Sequence, residues 1–400
     1  MSSIRQATKP TPSLSAFLSV GFRPFFCLGI LFCALSMGLW GAYWSQDIDV
    51  SNIQPFGGFL FWHGHEFIMG FALAIVFGFL LTAVQNWTGL KTTTPFTLGL
   101  LITSWLVARA AMLFGNELPD ALLLILTISP NLAGAFMIAK PIVKTKLWRN
   151  LFAPVALIMM ALIDVALIFS VINNQAFPSG LFLSAIFFIA LLITMIGGRV
   201  IPMFTANNLG IKKVNEPKMV FLLSVIPLPF LILLQLINVP LNILPVLNGI
   251  STFFCLILTM AHGARLFLWF HKGILLQPML WSLWLFYACL PIGFLVLALK
   301  PIYPGLGSIA LHIITIGGIS GLISSMVSRV SLGHTGREIT HDNWIVIAFA
   351  LIITSLLIRT LVVYLLGISP TVISASALLF SLAFAILFIR FLKVWSSPRH

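Results

Sequence analysis

Two histidines and a glutamate stand within four residues, in Trp62-His63-Gly64-His65-Glu66, and another histidine, His312, lies early in a separate apolar run. Neutral imidazole is the commonest protein ligand for iron, copper and zinc. Spacing limits what these side chains can share. On a regular helix His63 and His65 diverge by about 200°, whereas His63 and Glu66 lie about 60° apart. One regular helix therefore cannot aim both histidines at one metal. The expectation is that His63 and Glu66 serve one site and His65 another. His65 facing His312 would clamp a haem iron from both sides. Glu66 needs a compensating cation, and Arg109 is the candidate. The competing reading is a polar network that holds helices together.

Other residues carry weaker signals. His262, in Ala261-His262-Gly263-Ala264-Arg265, is a further candidate metal ligand. Asp164 and Arg359 are charges within apolar runs, expected either to pair or to belong to a proton path. Arg23, Arg199 and Arg329 suit a cofactor carboxylate or a lipid phosphate, with an ordinary membrane-interface anchor as the alternative. Asn86 and His334 occupy loops that resemble one another. His271, His341 and His400 read as solvated. Cys27, Cys33, Cys255 and Cys289 form no C-x-x-C pair and imply neither a disulfide nor a zinc site.

The elements that position these groups follow from composition. Of 400 residues, 60% are hydrophobic and 8% charged, and mean hydropathy is +1.10. A soluble domain carries about 25% charged residues, so this chain cannot cover a water-facing surface. That excludes a disordered chain, a secreted disulfide scaffold and a soluble nucleic-acid binder. Long apolar runs without alternation select helices over a barrel. Twelve runs are expected to span the bilayer: 25–44, 59–84, 96–114, 120–139, 151–172, 179–198, 219–238, 245–270, 279–299, 307–327, 344–366 and 371–393. Loops numbered alternately from an inside N-terminus hold 19 of the 22 Lys and Arg residues on the inside and only Lys300 outside. The net charge of +13 is thus a topology signal, with both termini cytoplasmic. At ~1.5 Å per residue His63, His65 and His312 share one depth, roughly 6–9 Å in from the outer face.

The fold class is therefore an all-α membrane protein of twelve transmembrane helices. Residues 1–21 form a cytoplasmic N-terminal segment, 22–395 one transmembrane domain, and 396–400 a cytoplasmic tail. No cleavable signal peptide is evident. His65, Gly70, Thr88 and Gly89 recur as His312, Gly317, Thr335 and Gly336 at a constant offset of 247. Asn207-Asn208-Leu209-Gly210 follows the sixth run much as Asn86-Trp87-Thr88-Gly89 follows the second. This points to a threefold repeat of four helices, against the competing reading that Gly and Thr recur by chance.

Phe22-Arg23-Pro24-Phe25-Phe26, Trp62-His63-Gly64-His65-Glu66, Gln85-Asn86-Trp87-Thr88-Gly89, Gly197-Gly198-Arg199-Val200-Ile201-Pro202 and Val330-Ser331-Leu332-Gly333-His334-Thr335-Gly336-Arg337 together resemble the NnrS family. The resemblance runs in order from residue 22 to 337. It implies a bacterial inner-membrane protein carrying haem, read as b-type, and copper, acting in the nitric oxide response and resistance to nitrosative stress alongside denitrification. The family's H-x-H-E motif falls on His63, His65 and Glu66, its tenth-span histidine on His312, and its H-x-x-R stretch on His262 and Arg265. A ninth-span histidine is expected after Pro-x-x-Trp, and here Pro278 and Trp281 are followed by Trp284. That departure puts in doubt any ligand set using the ninth helix.

The partners expected are the lipid bilayer and nitric oxide or another diatomic ligand, with no nucleic acid. The layout is similar to that of haem-copper oxidases, but the sixth and seventh runs hold no histidine, so no dinuclear centre of that kind can form. The alternative is a secondary transporter with Glu66, Arg109 and Asp164 as coupling groups. Its histidine cluster would then be expected near the midplane, not near the outer face.

Overall fold

The computed structural model describes residues 11–45, 49–50, 52–236, 244–340 and 342–399. Residues 1–10 of the N-terminal segment, residues 237–238 of the seventh run, His341 and His400 lie outside the described residues. Among those described, twelve helices are long and apolar enough to cross a membrane. They are α1 (Phe22–Ser45), α2 (Gly58–Thr88), α3 (Pro95–Glu117), α4 (Asp120–Lys144), α5 (Trp148–Ile172), α6 (Ser179–Leu209), α7 (Lys218–Leu236), α8 (Val246–Trp269), α9 (Pro278–Ala298), α10 (Leu306–His334), α11 (Asn343–Leu366) and α12 (Pro370–Ser396). The described residues contain no strand.

Helices that follow one another in sequence mostly pack side by side, and α12 closes on α1 along its length. Residues near both ends of the described chain meet there. Ser13 N donates to Ser396 O, and Arg23 Nη1 donates to the carbonyls of Trp395 and Ser397. Arg23 thus serves the C-terminal end of α12, whose last carbonyls have no partner within the helix.

Helices α2, α6 and α10 form the interior. Together with Phe26 they line an apolar cavity of about 100 Å3. Small residues permit the close approach. A Cβ on Gly321 of α10 would lie 2.2 Å from the Phe286 ring of α9, and one on Gly317 would lie 2.4 Å from Cys289 Sγ. Each of the three inner helices gives way to a glycine with positive φ at its end: Gly89 at 68°, Gly210 at 65° and Gly336 at 73°. A left-handed glycine past the last turn is the usual way to end a helix.

Three helices change winding partway along. Glu66–Ala72 in α2, Ile313–Gly321 in α10 and Ile358–Val362 in α11 are π-helical. The first two begin immediately after His65 and His312. Wider turns of this kind leave carbonyls to be satisfied by side chains and concentrate at functional sites. Accordingly Trp105 Nε1 donates to Gly70 O at 3.2 Å, and Ser320 Oγ to Thr315 O at 2.9 Å.

Candidate functional site

The Trp-His-Gly-His-Glu segment sits at the entry to the π-helical part of α2, and its two histidines point to different neighbours. His65 and Glu66 are fully buried. His65 Nδ1 is hydrogen-bonded to Glu66 Oε1 at 2.8 Å and His65 Nε2 to Asp164 Oδ1 at 2.7 Å. Arg109 Nη1 donates to the same Glu66 oxygen at 2.6 Å. An arginine, an imidazole and two carboxyl groups from α2, α3 and α5 thus satisfy one another. Buried charges in such surroundings are costly unless paired in this way.

This corrects two expectations. Glu66 associates with His65, not with His63. Asp164 pairs with His65 and not with Arg359. Both ring nitrogens of His65 are directed at carboxylates here, and His65 does not share a cavity with His312.

The structure brings together His63 and His312 instead. Both line one cavity of about 290 Å3 between α1, α2, α6, α10, α11 and α12, which Trp40 and Arg359 also line. His63 stacks on Trp40, with ring centroids 4.4 Å apart and planes at 10°. His63 Nδ1 is buried without a hydrogen-bond partner. His312 Nδ1 donates to Ser308 O, one turn back, at 2.7 Å. A carbonyl accepts only from N–H, so His312 keeps Nε2 bare. Fixing one ring nitrogen on a backbone carbonyl is how metal-binding histidines are commonly oriented.

The remaining candidates lie apart from this cavity. His262 and Arg265 join a second buried cluster towards the other end of the bundle. Arg265 donates through Nε to Glu216 at 2.5 Å and through Nη1 to the Tyr287 hydroxyl at 3.0 Å. That hydroxyl also lies 2.7 Å from His262 Nδ1. Trp284 Nε1 donates to Leu266 O, so the residue found where a ninth-span ligand was expected ties α9 to α8. Arg329 is buried over the Phe204 ring and donates to Phe204 O at 3.3 Å. Arg199 is exposed. Asn86, Arg23 and His334 line a separate polar cavity of about 470 Å3, and His334 rests against Phe22.

Reasoning from sequence missed Trp40, Ser308, Tyr287 and Glu216. Ser308 had a signal, four residues before His312 on a helix. Trp40, Tyr287 and Glu216 carried none, being distant in sequence from what they touch.

Two imidazoles on one cavity, one with a fixed tautomer and one with an orphaned nitrogen, are residues that would hold a haem iron if one were bound. Copper is less well served. No group of three or more His, Cys, Asp or Glu able to hold a metal occurs among the described residues.

A search of curated proteins found no match to the chain. A family model described as NnrS protein matches residues 16–399. The motifs, the twelve helices and that match over nearly the whole length agree, and the chain belongs to the NnrS family.

Proposed function

We propose that this membrane protein holds a haem iron between His63 of α2 and His312 of α10 and acts in the cell's response to nitric oxide. The observation that carries the reading is the shared cavity, reached by imidazoles from two helices that change winding beside it. The family's name fits a link to nitric oxide. Bound haem would supply an iron that passes an electron or takes a diatomic ligand. The chain's own part is to orient and exclude. Ser308 O sets the tautomer of His312, Trp40 fixes the plane of His63, and Met37, Phe67 and Ile68 give the cavity apolar walls. Copper has only His262 as an imidazole outside these helices among the buried residues, and no step is assigned to it.

The orientation proposed is that of the charge asymmetry, with both termini in the cytoplasm of a bacterial inner-membrane protein and the haem cavity near the outer face. A repeat of four helices accounts for α2, α6 and α10 lining the centre and for the left-handed glycine closing each of them.

The transporter reading draws on Glu66, Arg109 and Asp164. Their mutual pairing with His65 favours a role in joining α2, α3 and α5.

An optical spectrum and iron analysis of the purified protein test the proposal. It expects a Soret band, near-stoichiometric iron and a spectral change on adding nitric oxide. A colourless, iron-free preparation from haem-replete cells would remove it and favour transport.

A further inference from the structure

Arg359 lines the same cavity as His63 and His312, in the π-helical turn of α11. Its Nη1 is buried and has no hydrogen-bond partner. It takes part in none of the ion pairs among the described residues, and no Asp or Glu lines the cavity. Besides His63 and His312, the polar residues lining the cavity are Ser308, Thr315, Ser355 and Ser376, none of them an anion. The contrast with Arg109, matched to Glu66 at 2.6 Å, is sharp. An arginine within a membrane span is costly unless something neutralises it, and such residues face cavities that admit their partner. A planar guanidinium binds carboxylate and oxoanion geometry through two parallel hydrogen bonds.

We infer that Arg359 is an anion-binding residue, and that whatever occupies this cavity presents an oxoanion or carboxylate to it. This rests on the reading of the cavity as a ligand site and adds the charge of what it takes. The anion has two sources with the same chemistry: a free small oxoanion, or the carboxylates on a porphyrin's edge.

Full-length protein in lipid nanodiscs distinguishes them by calorimetric titration with sodium nitrite, against sodium chloride of equal ionic strength, and by resonance Raman spectra of any haem. For a free anion, the parent protein binds nitrite and Arg359→Gln binds it about tenfold more weakly or worse, a loss of one charge-assisted contact. For a porphyrin carboxylate, the haem-loaded parent takes no nitrite, and Arg359→Gln shifts the propionate bands while the iron-ligand bands stay. Nitrite binding and propionate bands both unchanged in Arg359→Gln would overturn the inference. So would a haem-free parent that binds no nitrite. A haem-free parent that binds nitrite through Arg359 would sink the haem proposal and leave this one standing. Should Arg359→Gln fail to fold, Arg359→Lys keeps the charge and loses the fork. A several-fold weaker nitrite affinity, or shifted propionate bands, then supports the inference, and no change in either overturns it.

Discussion

At the scale of residues, two histidines separated by one glycine do different work. His65 is held between Glu66 and Asp164, and His63 is presented to a cavity. Removing one member of a buried ion pair leaves the other uncompensated and costs about 3–5 kcal/mol. Arg109→Ala is therefore expected to lower the thermal midpoint in detergent strongly, through the stranded Glu66 carboxylate. Arg109→Ala combined with Glu66→Gln should recover part of that loss, since the second change removes the stranded charge. Equal midpoints for the single and double variants would show that Arg109 does not compensate Glu66. Residue types and depth were legible in the sequence: imidazoles, an internal Glu and an Arg to match it. Partner choice was not. The pairing of His63 with Glu66 assumed that only residues close in angle on a helix surface can share a site. A glutamate side chain reached its immediate neighbour instead, in the crevice where α3 and α5 meet α2. Asp164, 99 positions away from His65, could be placed only by the packing of α5.

At the scale of elements, the inner helices combine close packing with altered winding. Gly321 sits where the Phe286 ring leaves no room for a methyl group. Gly321→Ala is expected to destabilise by ~1–3 kcal/mol through overpacking. Gly307→Ala, near the start of α10 with only the Lys300 side chain at 3.4 Å, should stay within ~0.5 kcal/mol of the parent. Thermal unfolding of both variants checks this, and equal midpoints would contradict the packing described for α9 and α10. Helix count was readable from the apolar runs, because a span needs an apolar length the sequence shows openly. Two ends were not. The sixth run was read to 198, yet α6 continues to Leu209, and the tenth was read to 327, yet α10 continues to His334. Hydropathy falls at Gly198-Arg199 and at Ser328-Arg329, but loss of apolar character does not end a helix. Gly210 ends the first, and Gly336 turns the chain just beyond the second. The π-helical turns left no readable signal, since they depend on what packs beside them.

At the scale of the whole molecule, every fourth of the twelve helices lines a central cavity, and α2, α6 and α10 also contribute to the proposed haem cavity. The proposed orientation is tested by single cysteines and a membrane-impermeant thiol reagent on intact spheroplasts. Tyr303→Cys, beside Lys300, should label, and Lys213→Cys should label only after lysis; the reverse pattern would invert the topology. The central claim concerns which imidazoles grip iron, and haem content per protein in three purified variants tests it most directly. His63→Ala and His312→Ala are predicted to lose most of their haem while still inserting in the membrane. His65→Ala is predicted to melt earlier but to keep haem in the fraction that folds. Full haem in both His63→Ala and His312→Ala, or selective loss in His65→Ala alone, would contradict the account.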